Sequence, residues 1–113
     1  MGRMIYTSIT SLDGYIADES GSFDWSMPDE EVHSFVNGLE RDVHTHLLGR
    51  RLHEVMSYWD AVPSEGEPPA ILEYARIWQA ADKVVFSRSL SEVSAPRTRL
   101  EREFDPSAVR SLV

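Results

Sequence analysis

The chain contains no cysteine, which excludes disulfides, thiolate zinc sites and cysteine nucleophiles together. Lysine is nearly missing too, since Lys83 is the lone one among 11 basic residues and the rest are arginine. Basic residues as a group are outnumbered by 19 acidic ones, leaving a formal net charge of −8. So acidic a chain is a poor general partner for nucleic acid, because neutralising phosphates requires Lys and Arg. An anionic ligand has to be met locally. No apolar run approaches the roughly 18 to 20 residues of a membrane helix. The first residues also lack the apolar stretch of a secretory signal. The expectation is a cytoplasmic protein with no membrane or nucleic-acid partner. Internal repeats and low-complexity tracts are missing as well.

What is present is globular in character. Across 113 residues, 42% are apolar, with three Trp, four Tyr and four Phe, enough for a single domain with one core. Met4–Ile9 is rich in β-formers and reads as a short strand. Residues 11–28 follow as a long, turn-rich loop of the kind that covers a binding site. From Asp29 to Val43, Val32, Phe35, Val36, Leu39 and Val43 recur at helical spacing, with Ser26 as the expected cap and Pro28 suited to the first turn.

His44–Leu48 reads as a second strand closed by Gly49, and Arg50–Trp59 as a helix carrying Leu52, Val55, Met56 and Trp59 on one side. After a Pro-rich loop, Ile71, Tyr74, Ala75 and Trp78 mark another helix. Lys83–Phe86 is a third strand, Arg97–Phe104 a fourth, and Pro106 opens a last helix. The alternation predicts an α/β fold with a parallel sheet, because His44 and Lys83 lie 39 positions apart, enough for a helical crossover.

In such sheets ligands bind beyond the carboxyl ends of the strands. Gly49 permits close backbone approach there, and Arg50 and Arg51 add charge that can grip phosphate oxygens. Ser87, Arg88 and Ser89 offer two hydroxyls and a guanidinium at the next strand end. Together they suit a pyrophosphate and a ribose 2′-phosphate, which would favour NADPH over NADH. The alternative is that these are solvated surface arginines and a plain turn. Asp13-Gly14 is equally at home as an ordinary turn. Glu30 is either a surface acid facing the helix dipole or a carboxylate that assists protonation of a heterocycle. His33, His44, His46 and His53 invite a metal reading, but only His44 and His46 share a face, so no metal is expected.

Four stretches together are specific: Ser11–Ala17 (SLDGYIA), Asp24-Trp25, Leu47–Met56 (LLGRRLHEVM) and Lys83–Leu90 (KVVFSRSL). In this order they resemble the family that groups dihydrofolate reductases with the reductase domain of bacterial riboflavin biosynthesis, and most closely its small stand-alone bacterial members. The resemblance implies a dihydrofolate-reductase-like three-layer sandwich with a mostly parallel central sheet. It also implies NADPH as cofactor and hydride transfer to a pteridine- or pyrimidine-like small molecule.

Carried over, Gly49, Arg50 and Arg51 would meet the cofactor phosphates, while Ser87, Arg88 and Ser89 would meet the 2′-phosphate end. Ser11, Asp13, Gly14 and Ile16, with Trp25, would lie over nicotinamide and substrate, Asp13 and Glu30 being the catalytic candidates. Asp29 is the near alternative to Glu30. The family has Thr and an aromatic where Leu52 and His53 stand, which removes a hydroxyl donor from the phosphate site. Its domain also continues through a Gly-Gly loop and a strand inserted between the first two read here. The chain is therefore expected to be an N-terminal portion, a form completed by a partner in a homodimer, or a degenerate short version. Two other functions compete: a non-catalytic dimeric nucleotide-binding remnant of the same fold, and a metal-assisted hydrolase using the histidines. The reductase reading requires the turns at Gly49 and Arg88 to be neighbours.

Overall fold

The computed structural model describes residues 2–22, 28–63 and 65–112. Its centre is a three-stranded, wholly parallel sheet in the order β1 (Thr45–Gly49), β2 (Asp82–Phe86), β3 (Thr98–Glu101). Among the described residues four helices accompany it: α1 (Glu30–Glu40), α2 (Arg50–Met56), α3 (Pro69–Ala80) and α4 (Pro106–Arg110), with a 3₁₀ turn at Ser57–Ala61 after α2. The α/β class read from the alternation is therefore present. So is the parallel pairing of the strands on either side of α2 and α3.

The core forms where α3 crosses one sheet face. Trp78 (1% exposed), Tyr74 and Leu48 make the central cluster, with Met56 and Trp59 packed against it. His46 lies 5.1 Å from the Trp78 ring, while Leu48, further along β1, meets the cluster that holds Tyr74. As the strand advances the helix thus runs back, so the N-terminal end of α3 points toward the carboxyl end of the sheet. Lys83 is buried on the same face. Its Nζ donates to the carbonyls of Trp78 (2.6 Å) and Ala81 (2.9 Å) at the C-terminal end of α3, the first of them shared with the Ala81 N–H (3.2 Å). Burial pushes its ammonium below the usual lysine range, against the opposing pull of Asp60. On the other face, α4 buries Val109, and Ala108, Val109 and Leu112 share a groove with Val84 and Phe86. Helices on both sides of the sheet make the three layers.

Several expectations are corrected. Met4–Ile9 forms no strand; its backbone makes no hydrogen bond to other backbone among the described residues, and Met4, Ile5, Tyr6 and Ile9 are exposed. Strand propensity alone does not make a strand without an edge to pair with. In α1 the face carrying Val32, Phe35 and Leu39 is exposed, and Asn37 is the fully buried residue. Polar pairing decides that rotation: Asn37 Nδ2 donates to Ala70 O at 2.8 Å, and Arg41 meets Glu73 at 2.8 Å. Asp29 caps α1 by accepting from the Val32 N–H, whereas Ser26 lies outside the described residues. Helix α2 gives way to the 3₁₀ turn at Ser57, and Leu52 and Val55 are exposed. The last strand is shorter than read. Arg97 adopts φ 53°, a left-handed conformation that ends strand geometry before Thr98, and Arg102 lies beyond its far end.

His46 supplies a pH prediction. Desolvation first, and Lys83 second, lower its pKa from 6.5, and its Nε2 is buried without a partner. The unfolded chain then binds more protons than the folded one in this window. The stability contributed is complete above pH 6.5 and is lost as pH falls through the lower folded value. His46→Leu is expected to flatten the stability slope across that window and to gain on the parent most at its acid end. Urea melts at several pH values, giving parallel profiles for the two proteins, would rule this out.

Candidate functional site

The two strand ends singled out above are adjacent. In the parallel register Gly49 stands opposite Phe86, so α2 and the 87–91 turn emerge side by side from neighbouring strands. A side-chain bridge closes the gap: Arg50 Nη1 donates to Ser89 Oγ at 2.7 Å, across 39 positions of sequence. Its Nε is held by Glu54 at 3.0 Å, one helical turn on. Gly49 has φ −79°, which any residue adopts, and a Cβ built on it would meet nothing within 4 Å. Nothing in the protein's own packing requires a glycine there. The space over it is open.

The turn after β2 is shaped by its own side chains. Ser87 Oγ accepts from the N–H groups of Ser89 (3.3 Å) and Leu90 (3.2 Å), folding the backbone over the strand end. Arg88 is 82% exposed and reaches no closer than 3.7 Å to Glu103. Arg51 is exposed with no ion pair among the described residues. Arg102, one residue past β3, lays its guanidinium on the carbonyls of this turn, a contact missed when residues 97–104 were read as one strand. With the strand boundary known, the pattern is legible: Gly49-Arg50, Ser87-Arg88 and Glu101-Arg102 are three arginines at three successive strand ends. All three leave the same end of the sheet, Arg50 paired with Glu54, Arg88 loosely with Glu103, and Arg102 on the turn carbonyls.

Ser11, Asp13, Gly14, Ile16 and Glu30 make no hydrogen bond to these turns among the described residues. Ser11, Asp13 and Gly14 form a self-contained turn. The Ser11 hydroxyl donates to the Asp13 carboxylate, the Gly14 N–H donates to Ser11 O at 3.0 Å, and Gly14 takes φ 92°. Ile16 is exposed beside it, and no hydrogen bond, ion pair or ring contact ties residues 2–21 to the sheet. Trp25 lies outside the described residues. Glu30 is exposed at the start of α1, where its carboxylate accepts from the Ala70 N–H (2.9 Å) in the first turn of α3. It therefore caps a helix whose N-terminal end points toward the carboxyl end of the sheet, and it does not meet Asp13.

The histidines disperse. His33 lies against Trp59 and Tyr74, and His46 against Trp78. Among the described residues no three His, Asp or Glu side chains gather as a metal would need. A half-buried acid, missed in the sequence, sits on α1 beside Tyr74 of α3. Burial pushes the Glu40 carboxyl up while the Tyr74 hydroxyl donates to it, and burial raises the Tyr74 phenol in turn. Among the described residues no helix is long and apolar enough to cross a membrane.

Comparison with known proteins places this geometry in context. A family model described as the RibD C-terminal domain matches residues 3–107. An "Uncharacterized protein YyaP" of Bacillus subtilis (strain 168) is 28% identical over 93 residues, covering 80% of this chain and 46% of that protein. The chain thus spans a little under half the length of this relative. No solved structure matches it.

Proposed function

The chain belongs to the RibD C-terminal domain family, and from that premise we propose that it binds NADPH across the carboxyl ends of β1 and β2 and serves hydride transfer to a pteridine- or pyrimidine-like heterocycle. The observation that carries this reading is the Arg50–Ser89 bridge, which unites the two turns into one cationic surface. Gly49, Arg50 and Arg51 would take the pyrophosphate, and the open space over Gly49 admits a ligand backbone. Ser87, Arg88 and Ser89 would take the 2′-phosphate. Arg88 suits that role because its guanidinium is exposed and only loosely paired.

NADPH, when bound, supplies the hydride. The protein's part is to orient the two rings and exclude water, for which residues 11–16 are the covering loop. Self-bonded and exposed as it stands, that loop has to move onto the sheet for Asp13 or Ile16 to reach a substrate. Glu30 would lie nearer the site as the proton-handling carboxylate, at the end of the molecule to which the N-terminal end of α3 points. The runner-up is a nucleotide-binding domain without turnover. It is favoured by the absence of any backbone hydrogen bond between the described residues 2–21 and the sheet.

Titrating NADPH and NADH against the purified chain tests the reading, and steady-state turnover with pteridine- and pyrimidine-type substrates separates it from the runner-up. Arg88→Ala is expected to weaken NADPH about tenfold, roughly one charged hydrogen bond's worth, with a smaller loss for NADH. Equal losses for both nucleotides would contradict the 2′-phosphate assignment.

A further inference from the structure

Arg102 leaves β3 at the level where Arg50 leaves β1 and Ser87 leaves β2, yet it points at backbone instead of open space. Its Nη2 donates to the Ser91 carbonyl at 3.0 Å, and its Nη1 donates to the Leu90 carbonyl and, at 3.5 Å, to that of Arg88. Residues 87–91 belong to no helix or strand, so carbonyls in this turn lack a ladder partner and need another donor. One planar fork answers three of them. Lysine could not, since a point-charge ammonium lacks the fork. The opposite side of the turn is held by the Ser87 hydroxyl, which accepts from the Ser89 and Leu90 N–H groups, and by Arg50 on Ser89 Oγ. The turn is thus gripped from both sides.

We propose that Arg102 is a positioning residue for the 2′-phosphate, acting through the turn and touching no ligand itself. By drawing the carbonyls of Arg88, Leu90 and Ser91 to itself it directs the negative ends of those peptide groups away from the phosphate. It also fixes the backbone from which Arg88 and Ser89 project. This rests on the NADPH reading above, and the test keeps the two apart.

The decisive variant is Arg102→Lys, which keeps the charge and removes the fork, with Arg102→Ala beside it. Affinities for NADPH and NADH, followed by NADPH fluorescence and competition, are expected to fall about tenfold for NADPH in both variants and less for NADH. Amide hydrogen exchange at Ser89 and Leu90 should quicken in both, while the melting temperature moves little because the side chain is exposed. If Arg102→Lys binds NADPH like the parent, Arg102 contributes charge alone and the positioning role is overturned. Should the parent itself bind neither nucleotide, the cofactor reading falls and the positioning role falls with it. Parent binding with unchanged exchange in the variants sinks this inference while leaving the NADPH site standing.

Discussion

Replacing Trp78 by alanine is expected to remove about 3–5 kcal/mol of folding free energy, a large part of the roughly 5–15 kcal/mol available to a domain. The indole is 1% exposed and touches both principal layers: Leu48 on the sheet and Tyr74 on its own helix lie in the same cluster. Its loss opens a cavity that neighbours cannot fill, because His46, 5.1 Å away, sits on a strand pinned by its ladder. Two polar consequences add to the cavity. Asp60 loses the indole N–H that donates to it at 3.0 Å, and Lys83 Nζ loses the ring face 4.8 Å from it. Trp78→Phe isolates the polar share: it keeps an aromatic in place and should cost about 1–2 kcal/mol for the lost N–H donor and reduced contact. Urea unfolding followed by circular dichroism measures both. An alanine variant within about 1 kcal/mol of the parent would mean that this cluster is not the core.

Arg50→Ala is expected to weaken NADPH about ten- to a hundredfold while leaving stability nearly unchanged. The two halves of that expectation come from different contacts. Within the protein Arg50 makes an exposed i,i+4 pair with Glu54 and one hydrogen bond to the Ser89 hydroxyl. Pairs of this kind contribute only about 0.3–0.5 kcal/mol, screened by salt. A structural role therefore predicts a small change in melting and none in binding. A phosphate role predicts the reverse, because the guanidinium stands over both turns and its charge has no buried counter-ion. Isothermal titration at two ionic strengths reads it: the parent's affinity should fall with salt more steeply than the variant's, since one fewer charge meets the phosphates. Parent-like affinity in Arg50→Ala would remove the bridge from the site and with it the main support for the proposed function.

Much of this architecture was legible in the chain. The periodicity of Tyr74, Ala75 and Trp78 marked the helix that covers the sheet, and the run Lys83–Phe86 marked the central strand. Local patterns suffice there because an apolar stripe or run has few other places to go. The same reasoning placed Gly49-Arg50 and Ser87–Ser89 at strand ends, and parallel pairing made them neighbours.

It failed where a neighbour decides. Val32, Phe35 and Leu39 spell an apolar helix face, yet Asn37, Glu30 and Arg41 turn α1 the other way by finding Ala70 and Glu73. Met4–Ile9 has the residues of a strand and no backbone hydrogen bond to a neighbouring strand among the described residues. Arg102 is hidden from a reading that carries its strand on to Phe104, three residues past Glu101, and a one-residue change of boundary moves a side chain from a sheet face to a strand end.

The sequence by itself determined the α/β alternation, the local cation surplus at two turns and the kinship of the chain, since each depends on residues near one another along the backbone. Tertiary structure alone decided which helix face is buried, that Lys83 closes a helix from inside the core, and that Arg50 and Arg102, from two other strand ends, meet on the turn that carries Arg88. Those outcomes depend on hydrogen-bond partners 5 to 40 positions away, and pairing over such separations is settled by the packed fold and not by any local pattern.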